Sequence, residues 1–228
     1  PSYAHLILTA TRMDRVTPTI VSRCQVVRFA APTTAQISAS LIEQGIGSET
    51  AAACAKLASG DRERAEFLAS DSGIGLRKTA IDFVRRGLRA QPAAPWEPIE
   101  KLARRRGESL GEAIRTAHAD ELELAGKRER KQLEKELETA AHRADRRGRT
   151  ESIGLALELI SYWLRDLILL TSDLPSEVAN SDRLDELGED LEDLSDLGAA
   201  RLELAIESCD RTRSNLSLNV GEGLALQG

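Results

Sequence analysis

Residues 151–170 read ESIGLALELISYWLRDLILL, and their apolar side chains recur at the three- and four-residue spacing of one helix face. This face consists of Ile153, Leu157, Ile160, Leu164 and Leu167. Similar stripes lie on both sides of the stretch, and each predicts a helix of its own. They comprise Leu133, Leu137, Ala140 and Ala144 before it, and Leu202, Ile206 and Cys209 after it. The pattern predicts an antiparallel helical domain in this part of the chain.

The composition favours helices in the rest of the chain as well. Of 228 residues, 41% are hydrophobic and 30% are charged, but only 3% are aromatic. Ala, Leu, Glu and Arg abound, and these are strong helix formers. No apolar run approaches the ~20 residues that span a bilayer, and no signal-peptide pattern opens the chain. We therefore expect a mainly α protein that is cytoplasmic and has no membrane contact.

Charge is distributed unevenly along the chain. Residues 1–149 contain 26 basic and 20 acidic side chains, whereas residues 150–228 contain 5 and 17, giving net charges of +6 and −12. The acidic part argues against contact with DNA phosphates there, while the basic part leaves such contact open. We interpret the acidic run 182–196 as a solvated helix and loop rather than a metal site.

The beginning of the chain has the pattern strand, short helix, strand. Residues 4–9 form a continuous apolar run, and residues 24–29 are enriched in β-branched side chains with partial alternation. Between them, Thr17-Pro18 places proline in the first turn of a helix, where its missing N–H costs nothing. Because two strands alone are not stable, we expect their partner strands to lie in a preceding part of a longer protein.

A small helical bundle is predicted next. Thr33 and Gln36 fit a capping box at the start of its first helix. Ser48 is expected to cap a second helix, and the turn 59–61 to lead into a third that buries Ala65 and Leu68. A helix over 76–89 then precedes the Pro-rich break 91–96. We place domain boundaries accordingly: 1–30, 31–92 and 93–228.

The sequence contains no self-contained catalytic centre. It lacks a phosphate-binding G-x-x-x-x-G-K-[ST] loop, a G-x-G-x-x-G turn, H-E-x-x-H and G-x-S-x-G. The three cysteines are far apart, which suits neither a disulfide framework nor a zinc site, and each is predicted to be a small buried residue. We expect no metal and no cofactor bound by this chain itself.

The most informative segments are LILTATR at 6–12 and TPTIVSRCQ at 17–25. They resemble the last core strand and the Ser-Arg-Cys motif of the AAA+ ATPases that form bacterial DNA polymerase III clamp loaders. The resemblance implies that Arg23 is an arginine finger, which presents its planar charged fork to the γ-phosphate of ATP on the next subunit. Ser22 and Cys24 would hold it in place. The alternative is that Arg23 makes only a local salt bridge.

The resemblance extends over most of the chain. Residues 58–65, ASGDRERA, are similar to the sensor segment of AAA+ lid domains. This similarity implies that Arg64 either contacts the nucleotide or serves only in packing. The resemblance also gives Thr11 a sensor-like position. Residues 163–166, 180–182 and 216–226 are similar to the collar that joins clamp-loader subunits, especially delta-prime. The subunit-interface residues implied by this similarity are Trp163, Arg165, Asp166 and Asn219.

The resemblance therefore implies the end of an AAA+ core, a three-helix lid and a helical collar. It also implies a subunit that helps to load the sliding clamp onto primed DNA, with ATP on a neighbouring subunit and with gamma/tau and delta as partners. Two alternatives stay open. The chain could belong to a gamma/tau ATPase of the same loader, or it could be an acidic helical adaptor unrelated to replication.

Overall fold

The computed structural model describes residues 5–10, 12–89, 96–192, 194 and 198–217, without the side chains of Lys127, Arg128 and Ser217. The chain divides into two compact units, residues 1–31 and residues 32–228. The mainly α class is confirmed, because the described residues form ten α-helices with short 3₁₀ turns between some of them. In the first unit these are a 3₁₀ turn, Met13–Arg15, and helix α1, Pro18–Val21.

The strands predicted at 4–9 and 24–29 are wrong for the described residues, which contain no β-strand. The apolar side chains of both segments are exposed instead: Ile7 is 91% and Phe29 92% accessible. A strand requires a paired neighbour for its backbone N–H and C=O groups, and neither segment has one here. The short helix between them is confirmed, with Pro18 in its first turn.

The second unit begins with four helices. Their bounds are α2 Thr34–Glu43, α3 Ser48–Leu57, α4 Arg62–Ala69 and α5 Asp71–Leu88. The capping box is confirmed, since the Gln36 backbone N–H donates to Thr33 Oγ1 at 3.2 Å and the Thr33 N–H donates to Gln36 Oε1 at 2.9 Å. Ser48 is the first helical residue of α3 rather than its N-cap, which is Gly47. Helix α5 starts earlier than predicted because Ser70 caps it.

The remaining helices are α6 Glu97–Ala117, α7 Ala119–Leu124, α8 Lys127–Thr171, α9 Leu184–Glu192 and α10 Ala199–Ser217. The two stripes predicted on separate helices, around Leu137 and Leu157, both lie on α8, which is 45 residues long. Ala140 is exposed, and its neighbour Ala141 is buried instead. The predicted break between the two stripes is therefore absent.

Helices α6 and α8 pack side by side at unusually close range, because glycines replace larger side chains at their contact. Gly107 lies so near α8 that an added Cβ would be 2.5 Å from the carbonyl oxygen of Asp145 and 2.7 Å from Arg149 Cγ. A Cβ on Gly148 would be 3.3 Å from the Gly107 Cα. The crossing of the two helices thus depends on the absence of side chains at these positions.

Gly107→Ala is expected to destabilise the protein by about 1–3 kcal/mol, because the new methyl group must push α6 away from backbone atoms of α8. The matched control is Gly154→Ala in α8, where an added Cβ meets nothing within 4 Å. That control should stabilise the helix by up to about 1 kcal/mol. Urea unfolding monitored by circular dichroism measures both changes. A Gly107→Ala protein as stable as the control would contradict the close crossing.

One hydrophobic core runs through residues 32–228. It includes Ile37 and Leu68 from the predicted lid as well as Ile153 and Leu167 from the predicted collar. Helices α5 and α10 both pack on α8. The boundary placed at 92/93 does not coincide with a division between compact units. The separation into lid and collar stays a prediction from the resemblance.

Candidate functional site

The Ser22–Cys24 motif follows directly on helix α1. The backbone N–H of Ser22 donates to the Pro18 carbonyl at 2.9 Å, and Ser22 Oγ donates to the Thr19 carbonyl at 3.1 Å. These bonds close the end of the short helix and fix the backbone on which Arg23 is carried. The motif thus lies at the hydrogen-bonded end of a short helix.

The Arg23 side chain is exposed, and it has no ion pair or hydrogen bond within the described part of the chain. Arg12, in the same unit, differs because its Nε donates to Asp14 Oδ1 at 3.1 Å. This hydrogen bond lowers the pKa of the Asp14 carboxyl group. The local salt bridge considered for Arg23 is therefore not formed here. Thr11, the other predicted residue of this unit, lies outside the described residues.

The cysteines do not share one environment, so the prediction that each is buried is wrong for Cys24. Cys24 is exposed, whereas Cys54 and Cys209 are buried. Burial raises the pKa of both buried thiols, which lowers their thiolate fraction and hence their reactivity. Cys24 lies on a segment whose apolar residues are also exposed, so the segment contributes no side chain to the core.

In the native protein at pH 8, an aromatic disulfide reagent is expected to label about one thiol per chain quickly, because thiol access and ionisation control the rate. The labelled residue should be Cys24, and the other two should react only after unfolding in guanidinium. A Cys24→Ser variant provides the control and should show almost no fast labelling. Rapid labelling of two or three thiols in the native state would contradict the burial of Cys54 and Cys209.

Arg64 is paired within the chain. Its Nη2 lies 2.8 Å from Glu158 Oε1 on α8, and Glu158 also contacts Arg213 of α10 at 3.2 Å. The Arg64 Nη2 and Nε atoms are buried and have no aligned hydrogen bond, so the contact with Glu158 is an electrostatic one. This arrangement joins α4, α8 and α10 beside a cavity of about 830 Å³. Arg64 therefore makes a packing contact within the chain, which is one of the two roles considered for it. Its contact with a nucleotide stays a prediction.

The collar segment around Trp163 is buried within the chain. Trp163 is completely inaccessible, and its Nε1–H donates to Asp190 Oδ2 at 2.9 Å. Arg85 Nε donates to Asp190 Oδ1 at 2.7 Å, and the Arg85 guanidinium lies 5.8 Å from the centre of the Trp163 ring. These three side chains connect α5, α8 and α9 through one buried carboxylate.

A second polar network lies beside the first. The buried Asp166 accepts hydrogen bonds from the backbone N–H groups of Ala179 and Asn180 at 2.9 and 2.8 Å, and from Asn180 Nδ2 at 2.7 Å. Arg77 then donates to Asn180 Oδ1 at 3.1 Å and to both oxygens of Asp182 at 2.8 and 3.0 Å. The Asn180-x-Asp182 motif therefore fixes the chain after α8 onto α5.

The predicted interface residues thus fall into three groups. Trp163 and Asp166 contribute to the core of this chain, so they present no surface of their own to a partner. Arg165 is exposed and is available for one. Asn219 lies outside the described residues.

Sequence reasoning missed Arg77, Arg85 and the burial of Asp190. The run 182–196 was interpreted as solvated, yet Asp190 is 1% exposed because Arg85 and Trp163 satisfy both of its oxygens. The sequence signal was the pair of arginines on the apolar face of α5, where Arg77 follows Leu76 and Arg85 follows Val84. An arginine at such a position indicates a buried acidic partner elsewhere in the chain.

No protein-family model, curated protein or solved structure matches this chain. Over the described residues, no helix has the length and apolarity needed to cross a membrane. The same residues contain no group of three or more His, Cys, Asp or Glu side chains placed to hold a metal ion.

Proposed function

We propose that this chain is part of a bacterial DNA polymerase III clamp-loader subunit of the delta-prime type. It would act in the cytoplasm within a ring of gamma/tau and delta subunits that loads the sliding clamp onto primed DNA. Its own contribution would be an arginine finger, Arg23, and a helical collar for assembly. ATP would be bound and hydrolysed by the neighbouring subunit.

The observation that carries the proposal is the exposed and unpaired guanidinium of Arg23 at the end of α1. A finger that acts in trans must not be neutralised by its own chain, and it must be carried on a fixed backbone. Arg23 meets the first condition, and the hydrogen bonds of Ser22 favour the second. An arginine that served only local structure would instead have a partner nearby, as Arg12 has in Asp14.

The buried polar networks of the second unit support the proposed collar role. A collar transmits position between subunits, so its helices must keep a fixed arrangement. The carboxylates of Asp166 and Asp190 bind groups from α5, the segment after α8, and Trp163. Arg165 projects from the same stretch of α8 and is exposed, so it is the residue we assign to the subunit contact.

The proposal is tested by reconstituting a bacterial clamp loader from gamma/tau and delta, with and without the natural full-length protein that contains this chain. The sliding clamp and primed DNA are then added, and steady-state ATP hydrolysis is measured. We expect stimulated hydrolysis to require this protein, because the adjoining ATP site is incomplete without it. Equal stimulated rates in both mixtures would refute the proposal.

A further inference from the structure

A cavity of about 380 Å³ lies between helices α5, α6, α8 and α10 of the second unit. Each helix contributes buried apolar side chains to its wall, among them Val84, Ile99, Ile160 and Leu202. Trp96, immediately before α6, adds an aromatic ring. Cavities that bind small molecules are mostly apolar and have volumes of about 300–1,000 Å³. This one is therefore large enough for a small ligand.

Arg201 is the only charged side chain among the described residues that line the cavity. It is exposed, as are Gly87 and Ser208, and these three residues mark where the cavity opens to solvent. Arg201 has no ion pair or side-chain hydrogen bond within the described part of the chain. The cavity thus combines an apolar interior with one uncompensated positive charge at its opening.

Gly87 leaves room at this opening. It follows Phe83 and Val84 by four and three positions, so all three residues lie on one face of α5. A Cβ added at Gly87 would meet nothing within 4 Å, whereas one added at Gly107 would be 2.5 Å from a backbone carbonyl oxygen. The opening is therefore unobstructed where α5 borders it.

We infer that this cavity binds a small amphipathic acid, which consists of one aliphatic chain that ends in a carboxylate. The chain would be buried against the apolar wall, and the carboxylate would accept hydrogen bonds from the planar fork of Arg201. A doubly charged phosphate head group would need more donors than one guanidinium supplies. A peptide would leave backbone N–H and C=O groups unpaired against an apolar wall. The inference goes beyond the proposed function, because it requires neither Arg23 nor ring assembly.

The test measures the binding of decanoate to the purified chain by isothermal titration calorimetry. We expect one molecule per chain, with a dissociation constant of about 1–100 µM. Octanoate, which is shorter by two methylene groups, should bind about 10-fold more weakly, because each buried methylene contributes about fourfold. Decyltrimethylammonium should also bind at least about 10-fold more weakly, although the chain's net charge of −6 would attract a cation.

No saturable binding of decanoate up to about 1 mM would overturn the inference, as would equal binding of the anion and the cation. Absence of binding by a chain that elutes as a dimer would assign the cavity to a second copy instead.

Tryptophan fluorescence locates the bound acid. Of the two tryptophans in the chain, Trp96 lines the cavity and Trp163 is not among its lining residues. Decanoate that carries bromine at the end of its tail should quench the emission, because bromine quenches an indole that it contacts. Trp96→Phe should lose most of this quenching and still bind decanoate within about 3-fold. Undiminished quenching in that variant would place the acid elsewhere and overturn the inference.

Arg201→Gln should weaken decanoate binding at least about 10-fold, because a charge-assisted hydrogen bond is lost. The matched control is Arg211→Gln, which removes an exposed arginine from the same helix, α10, but outside the cavity lining. It should remain within about 3-fold of the unmodified chain. Equal weakening in both variants would show that only net charge acts, and would overturn the inference.

Gly87→Leu should reduce decanoate binding at least about 10-fold, because the new side chain occupies the opening. Gly75→Leu is the control, since Gly75 also lies on α5, has nothing within 4 Å of an added Cβ and does not line the cavity. Neither change removes a side-chain contact, and leucine favours the helix over glycine, so both variants should fold. A Gly87→Leu protein that binds decanoate as tightly as the control would contradict the inference.

Discussion

Replacing Arg23 with alanine in the natural full-length protein is expected to lower ATP turnover at the adjoining subunit without preventing ring assembly. The physical reason is that the transition state of phosphoryl transfer loses a charge partner, while no contact that holds the ring together is removed. Arginine fingers supplied in trans contribute ~10³ to 10⁵ in rate, although a ring with several ATP sites would show a smaller overall loss. The measurement is clamp- and DNA-stimulated ATP hydrolysis by the reconstituted complex.

Two companion variants make this result specific. Arg23→Lys should restore little activity, because a point charge on a flexible stem cannot reproduce the planar fork. Arg28→Ala removes another exposed arginine from the same unit and should leave turnover unchanged. Gel filtration establishes that each complex has assembled. Unchanged turnover in an intact Arg23→Ala complex would assign Arg23 to local structure alone.

Replacing Trp163 with alanine should destabilise the protein by about 3–5 kcal/mol. The substitution leaves a large cavity where the completely buried indole packs against the core. It also removes the Nε1–H donor from Asp190, whose carboxylate then keeps Arg85 as its one side-chain partner among the described residues. Urea unfolding of the purified chain measures the change in the free energy of unfolding.

Trp163→Phe separates the two causes, because phenylalanine retains most of the apolar volume but donates no hydrogen bond. We expect this variant to lose about 1–3 kcal/mol, which is the usual cost of leaving one buried polar atom without its partner. If Trp163→Ala unfolds with less than about 1 kcal/mol of loss, the indole cannot be the core residue described here.

Local patterns predicted much of the second unit. The capping box at Thr33 and Gln36, the turn before Arg62 and the buried stripe from Ile153 to Leu167 all form as expected. Each of these features depends on neighbours within about one or two helical turns, which the sequence displays directly. Their success explains why the mainly α class could be predicted.

Features that depend on distant residues could not be predicted in the same way. The single helix α8 was predicted as two helices because the charged stretch 145–151 separates its two apolar stripes. The burial of Asp190 depends on Arg85, which is 105 positions away. The strands expected at 4–9 and 24–29 needed partners that local pattern does not supply, and in their absence the apolar side chains stay exposed.

The central claim, membership of a clamp loader, is tested most directly by native mass spectrometry of the natural full-length protein mixed with gamma/tau and delta. Our account predicts a stable complex of five subunits that contains one copy of this protein, and replacing the exposed Arg165 with glutamate should weaken that complex. A mixture in which this protein remains at its own mass, while the other subunits assemble without it, would contradict the account.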